Sequence, residues 1–302
     1  MEKKSKIKSF LKKHEKLYVK LNEFEINQVY NLYFNNIVEY EINSDTVLLY
    51  YGTYYKILKK WEMMRKYYKM SIKKGNSFAM FNLGLYYKLH KFNYNKMMKY
   101  YLMGIEKGNC LAMISLGQFY EEVNNYEKMM EYYLMSIEYG SSGGLNALGS
   151  YYRDKNDFDN MIKYYKLAIE KDNTKSMCNL AKYFENKYDY ENMIKYYLMA
   201  IEKGNSVAMN NLGVYYDKQK DHNNMIKYYL MAIENYNSTA SENLKRTPIN
   251  IIIEYFLKLN KNKEKNNEEI KKLKKKIAKL KYKPDGPKYE IIKEHFKSLI
   301  NY

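Results

Sequence analysis

From residue 64 onward, apolar positions recur with the 3.6-residue period of a helix, and the whole pattern returns about every 32 residues. Met64, Met97, Met129, Met161, Met193 and Met225 stand in register, with steps of 33, 32, 32, 32 and 32 residues. Three residues after each comes a tyrosine pair, from Tyr67-Tyr68 to Tyr228-Tyr229, and nineteen after comes Leu83, Leu116, Leu148, Leu180, Leu212 or Leu244. Within one repeat, Met193, Tyr196, Tyr197, Ala200 and Ile201 draw the apolar stripe of an amphipathic helix, and Ala208, Met209, Leu212, Tyr215 and Tyr216 draw a second. Self-similarity at this period marks stacked supersecondary units, none able to bury its apolar face alone. The pattern predicts an all-α fold, a right-handed α-solenoid of stacked antiparallel helix–turn–helix repeats with a 32–33-residue period and atypical terminal caps.

Start and stop signals sit where this reading needs them. Asn93, Asn125, Asp157, Asp189 and Asp221 precede the Met-Tyr helix and can accept from a first-turn N–H. Gly75, Gly108, Gly140 and Gly204 follow it, where a left-handed residue closes a helix. Asn76, Asn109, Ser141, Asn173, Asn205 and Asn237 then open the next helix. Small residues recur where helices must approach closely: Gly52, Gly84, Gly117, Gly149, Ala181 and Gly213 on one helix, and Ser71, Gly104, Ser136, Ala168, Ala200 and Ala232 on the other. A glycine inside a helix costs about 1 kcal/mol against alanine, so its recurrence asks for a packing reason. Tyr101, Tyr133, Tyr165, Tyr197 and Tyr229 are the large structural members of the repeat.

The pattern A-x-x-x-L-G-x-x-Y together with Y-Y-x-x-A-I-E-x-G, with Ala208, Leu212, Gly213, Tyr216, Tyr229 and Ala232 at its packing positions, resembles the tetratricopeptide and Sel-one-like repeat superfamily. The resemblance covers residues 52–244; the period is shorter than the tetratricopeptide's, Met stands where that family usually has Ala, and the inter-repeat proline is missing. Short units rich in Asn, Lys and Tyr are also similar to repeat proteins encoded by AT-rich giant viruses of amoebae. The resemblance implies a non-enzymatic scaffold that binds a protein or peptide on the solenoid surface.

The 38 Tyr, 19 Met and 11 Phe sit at helical spacing and read as packing rather than as a ligand box. Charge divides the chain more sharply than its total of +18 suggests. Residues 1–21 carry +6, residues 22–244 carry +2 and residues 245–302 carry +10. The expected organisation is a basic N-terminal segment over 1–22, the repeat solenoid over 23–247 and a helical, basic C-terminal cap over 248–302. Basic ends suit nucleic acid or an anionic surface as an alternative function. Clustered Lys with little Arg or interleaved aromatics makes a weak nucleic-acid footprint, however.

At the ends the repeat decays. Residues 23–51 read as a degenerate first unit, and Trp61 as a wedge between units. Pro248 should stop the last repeat helix, with the apolar stretch 249–259 covering the final face. Beyond a polar hinge at 260–267, Ile270, Leu273, Ile277 and Leu280 share one helix face, and after the turn at 284–287 Tyr289, Ile292, Phe296 and Leu299 share another.

No catalytic motif assembles: His14, His90, His222 and His295 lie far apart, His90 and His222 are expected in turns, and phosphate-loop, dinucleotide and nucleophile-elbow patterns are missing. No metal or cofactor is expected. Cys110 and Cys178 show no pairing or ligand pattern and read as reduced thiols, which places the chain in a cytoplasm, that of a host if viral. The N-terminus has no uninterrupted apolar run and no stretch is long enough to span a bilayer. One polar series suggests binding. Asn82, Asn179 and Asn211, with Asn146 and Asn210 beside that position, form a row of amides able to pair with an extended peptide backbone. Arg153 and Lys182 on the same helices would meet its acidic groups.

Overall fold

The computed structural model describes residues 23–35, 44–248, 251, 252 and 255, and every regular element among them is an α-helix. The basic segment 1–22, the hinge at 260–267 and the two C-terminal amphipathic stretches lie outside the described residues. The chain divides into two compact units, Met1–Lys171 and Asp172–Tyr302, so the division falls inside the 23–247 span. The first unit holds α1 (Glu23–Asn35), α2 (Asp45–Ile57), α3 (Trp61–Lys73), α4 (Ser77–Lys91), α5 (Tyr94–Ile105), α6 (Cys110–Glu122), α7 (Tyr126–Glu138), α8 (Ser142–Asp154) and α9 (Phe158–Glu170). The second holds α10 (Thr174–Asn186), α11 (Tyr190–Glu202), α12 (Ser206–Lys218), α13 (His222–Glu234) and α14 (Ser238–Arg246).

Within each unit consecutive helices pack antiparallel as stacked hairpins, the α-solenoid arrangement that the period calls for. The tightest pairs are α2 with α3, α4 with α5, α6 with α7 and α8 with α9 in the first unit, and α10 with α11 and α12 with α13 in the second. Each hairpin therefore runs from an Asn- or Ser-capped helix to the Met-Tyr helix that follows it. First helices of neighbouring hairpins also touch, α2 on α4 and α6 on α8.

The centre of each hairpin is a tyrosine ring laid on a glycine. Tyr68, Tyr101, Tyr133, Tyr165, Tyr197 and Tyr229 are all fully buried. A Cβ added to Gly52, Gly84, Gly117, Gly149 or Gly213 would lie 2.3–2.6 Å from the facing ring of Tyr68, Tyr101, Tyr133, Tyr165 or Tyr229. Several of these phenols also find a partner on the glycine-bearing helix: Thr53 Oγ1 lies 3.2 Å from Tyr68 Oη, Tyr133 donates to Glu121 Oε2 at 2.7 Å, and Ser150 Oγ lies 3.1 Å from Tyr165 Oη. Beneath the rings Met64, Met97, Met129, Met161, Met193 and Met225 are buried completely or nearly so.

Between hairpins the contact is small on small: a Cβ at Gly104 would come 3.3 Å from Ala112 Cβ, and one at Gly144 would strike Ser136 Oγ. The capping asparagines do two things at once. Asn76 Oδ1 accepts from Ala79 N at 2.9 Å while its Nδ2 donates to Asp45 Oδ2 of the preceding hairpin at 2.7 Å. Asn109 likewise caps at Ala112 N and reaches Ser77 Oγ, and in the second unit Asn205 reaches Thr174 Oγ1 and Asn237 the Ser206 carbonyl. A carboxylate can cap equally well, but the amide adds a donor pointing to the neighbour.

The turns close through left-handed residues. Gly75, Gly108, Gly140 and Gly204 serve after the Met-Tyr helices, with Asp172 and Tyr236 at the same place in other repeats. The opposite turns use Lys59, Phe92, Asn124, Asn156, Tyr188 and Lys220, none of them glycine. His90 lies in the last turn of α4 and His222 opens α13, so both belong to helices rather than to the turns expected for them. Trp61 opens α3 and leans on Tyr86 and His90 of the next hairpin, at 5.6 and 4.6 Å between ring centroids. After α14, Thr247 turns extended before Pro248, and Ile252 packs against the core formed by Met225, Ile226, Leu230 and Leu244.

Three outcomes follow from this packing. Replacing Gly149 by Leu forces the Tyr165 ring off its seat and should destabilise the chain by about 1–3 kcal/mol in denaturant melts; an unchanged midpoint would refute the contact. Asn76→Asp keeps the cap but sets a carboxylate against Asp45, so stability should fall by about 1–3 kcal/mol at neutral pH. It should partly recover below about pH 5, where a protonated carboxyl donates again. Burial pushes the phenols of Tyr101, Tyr197 and Tyr229 from 10 up to about 12. Because the folded values lie above the unfolded one, this stability is complete below pH 10 and lost as pH rises through about 12. Helix ellipticity at alkaline pH should therefore collapse together with the appearance of tyrosinate absorbance.

Candidate functional site

The amide row sits on the first helix of each hairpin. In the first unit Asn82 is almost buried and its Nδ2 donates to the Phe78 carbonyl at 3.0 Å, while Asn146 is half-buried. Asn82 also borders a void of about 40 Å³ beside Trp61 and His90, room for about one water. Arg153 is exposed and pairs with its neighbour Asp154 at 2.9 Å. In the second unit the amides join: Asn243 Nδ2 donates to Asn210 Oδ1 at 3.1 Å, Asn210 Nδ2 to Asn211 Oδ1 at 3.5 Å and Asn211 Nδ2 to Tyr197 Oη at 3.4 Å. Asn179 is half-buried on α10, and Lys182, two turns from the start of that helix, is exposed. Asn82, Asn146 and Arg153 thus belong to one unit and Asn179, Lys182, Asn210 and Asn211 to the other.

A second feature runs along the edge where each first helix turns into its partner. In the first unit Tyr94 leans on Phe119 at 5.3 Å, Phe119 meets Tyr120 edge-on at 5.6 Å, and Tyr120 stacks on Tyr132 at 5.7 Å with planes 1° apart. Tyr126, Tyr151, Tyr152 and Tyr164 repeat the zigzag one hairpin on. In the second unit Tyr190, Tyr215, Tyr216 and Tyr228 repeat it again. Lysines lie over several rings, with Lys96 at 5.3 Å from Tyr87, Lys128 at 5.1 Å from Tyr120 and Lys155 at 4.3 Å from Tyr126. The recurring aromatic pairs at Tyr86-Tyr87, Phe119-Tyr120, Tyr151-Tyr152, Tyr183-Phe184 and Tyr215-Tyr216 were the available signal in the sequence. Helical spacing alone assigned them to the core.

On the second unit this edge opens into a cleft of about 450 Å³ lined by Lys182, Glu185, Asn186, Tyr188, Tyr190, Tyr215, Lys218 and Gln219. Glu185 receives Lys182 at 2.9 Å and Lys218 at 3.4 Å. Burial opposes its charge, but the two ammonium groups outweigh that and hold its carboxyl below the usual range. Nothing nucleophilic joins it. Burial raises the Cys178 thiol to about 11 and the Cys110 thiol in the same direction, which suppresses thiolate. Among the described residues no three His, Cys, Asp or Glu side chains gather as a metal site, and no helix is long and apolar enough to cross a membrane.

Residues 143–173 and 207–238 match the tetratricopeptide repeat family model. The matches span two of the hairpins. Each match begins in a capped helix, α8 or α12, and continues through the Met-Tyr helix, α9 or α13, the same pairing that the packing shows. The fold is similar to a Sel1 repeat protein from Oxalobacter formigenes, 21% identical over 70% of this chain and 99% of that one, with a TM-score of 0.51. It is also similar to immunity protein Pa5087 from Pseudomonas aeruginosa, 16% identical over 67% of this chain and 85% of that one, with a TM-score of 0.50. No curated protein matches the chain.

Proposed function

We propose that the protein is a non-enzymatic scaffold that holds a protein or peptide partner on the surface of its helical repeats. The observation that carries this reading is the fold itself: hairpins stacked by nearest-neighbour contact present equivalent side chains in rows, the geometry that suits an extended partner. Tetratricopeptide-type repeats at residues 143–173 and 207–238 support it, since repeats of this type generally serve as protein-interaction surfaces. Asn179 and Asn211, one hairpin apart on α10 and α12, are the amides best suited to pair with a partner's backbone, with Lys182 beside them for an acidic group. Asn82 and Asn210, expected in the same row, are buried and bonded to the chain's own atoms; on the first unit Asn146 and Arg153 of α8 would serve in the same way.

Affinity purification of the full chain from its native cell should return a protein partner, and deletion of residues 261–302 should leave that binding intact. Loss of binding on deletion would favour the basic end as the contact. The double change Asn179→Ala and Asn211→Ala should weaken the partner by about 1–3 kcal/mol while moving folding stability by no more than about 1 kcal/mol. Unchanged affinity in the double variant would remove these residues from the interface.

A further inference from the structure

The cleft on the second unit differs from its counterpart in the first in a way that defines a ligand. Stepping back 64 residues aligns Tyr190, Tyr215 and Gln219 with Tyr126, Tyr151 and Lys155. In the first unit the site fills itself: Lys155 Nζ sits 4.3 Å from the Tyr126 ring centroid and 5.7 Å from that of Tyr151, and contacts Tyr126 Oη at 3.2 Å. Its surroundings are acidic, because Glu122 and Asp154 occupy the places of Asn186 and Lys218. In the second unit the ring-covering lysine is replaced by Gln219, and Gln118 by Lys182, so the same aromatic seat is uncovered and its lining turns basic. Tyr188 adds a further wall. It stands where the first unit has Asn124, in the left-handed conformation with φ 59°, which a bulky side chain adopts less readily than asparagine. Tyr188 is 78% exposed, and its ring is set 6.4 Å edge-on from Tyr190.

We propose that this cleft binds a nucleotide, its base stacked on the exposed face of Tyr188 with an edge toward Tyr190, and its phosphate held by Lys182 and Lys218. A planar, anionic ligand matches both changes at once: a ring face suits a base, and two ammonium groups that share the single carboxylate of Glu185 leave net positive charge for a phosphate. Asn186 and Gln219 carry the amide donors and acceptors that read base edges. The volume of about 450 Å³ lies within the roughly 300–1,000 Å³ of small-molecule clefts. The same chemistry is offered by a free nucleotide or by one unit of a single-stranded nucleic acid. This site is separate from the amide row proposed for a protein partner, so either reading can fail alone.

The test is fluorescence anisotropy of the full chain with labelled oligoadenylate at physiological salt, alongside AMP and an acidic tyrosine-containing peptide. Tyr188→Ala and Lys218→Gln should each weaken oligoadenylate about tenfold at unchanged melting temperature. Tyr188→Ala leaves net charge unaltered, so binding through the basic ends would not respond to it. Competition by AMP would identify a free nucleotide as sufficient, and its failure with oligoadenylate still bound would identify the polymer. The proposal is overturned if oligoadenylate does not bind, if both variants bind it like the parent chain, or if the acidic peptide alone loses affinity in Tyr188→Ala.

Discussion

Everything in each hairpin depends on one contact, a tyrosine ring lying flat where a neighbouring helix has no side chain. A glycine inside a helix costs about 1 kcal/mol relative to alanine. Burying an aromatic ring of roughly 150–250 Å² returns several kcal/mol at about 25 cal/mol per Å², so the ring outweighs the glycine. At three hairpins the facing helix also satisfies the phenol, through Thr53, Glu121 or Ser150 one residue or one turn beyond the glycine. Ala181 shows the tolerance of the arrangement: it stands at the glycine's place in its repeat, and Tyr197 is still only 1% exposed.

Once the ring fixes a hairpin, its outer surfaces are fixed too, and they are what the next hairpin needs. The small positions at Gly104 and Ala112, or at Ser136 and Gly144, match in pairs, the larger member on one helix facing the smaller on the other. The asparagine caps of α4 and α6 then tie the start of each to the first helix before it. Each link joins neighbours only, so stability within a unit accumulates hairpin by hairpin rather than through a single core.

The helices were legible because each signal is repeated: Met at one spacing, the tyrosine pair at another, a capping residue at both starts. Repetition also singled out the glycines and the tyrosines, but not that a glycine and the tyrosine sixteen or seventeen residues later share a contact, since periodicity on one helix does not say which face meets which neighbour. The turns through Lys59, Phe92, Asn124, Asn156, Tyr188 and Lys220 gave no signal for a related reason: the backbone conformation recurs while the residue changes. The amide row was visible as spacing. Whether a given amide faces a neighbour, as Asn210 faces Asn243, depends on which side chain the adjoining repeat presents. That information sits some 30 residues away in the chain.

The same separation between what folding requires and what it leaves open runs along the aromatic edge. Lys88 and Glu122 form an ion pair between consecutive hairpins at 2.7 Å, and in the second unit the equivalent places hold Glu185 and Lys218, 3.4 Å apart with the charges exchanged. The link between hairpins does not depend on these charges, since Glu121 and Asp154 hold the same two places one hairpin on from Lys88 and Glu122 with like sign. An exposed pair of this kind contributes about 0–1 kcal/mol in either orientation, so folding places almost no constraint on the sign. What the sign does control is the field beside the ring faces at the same edge. Acidic groups there retain the chain's own Lys155 over Tyr126, whereas lysines beside Tyr190 leave the rings to an anion from outside. A repeat held together by its interior can thus change what its edge recognises without disturbing its stability.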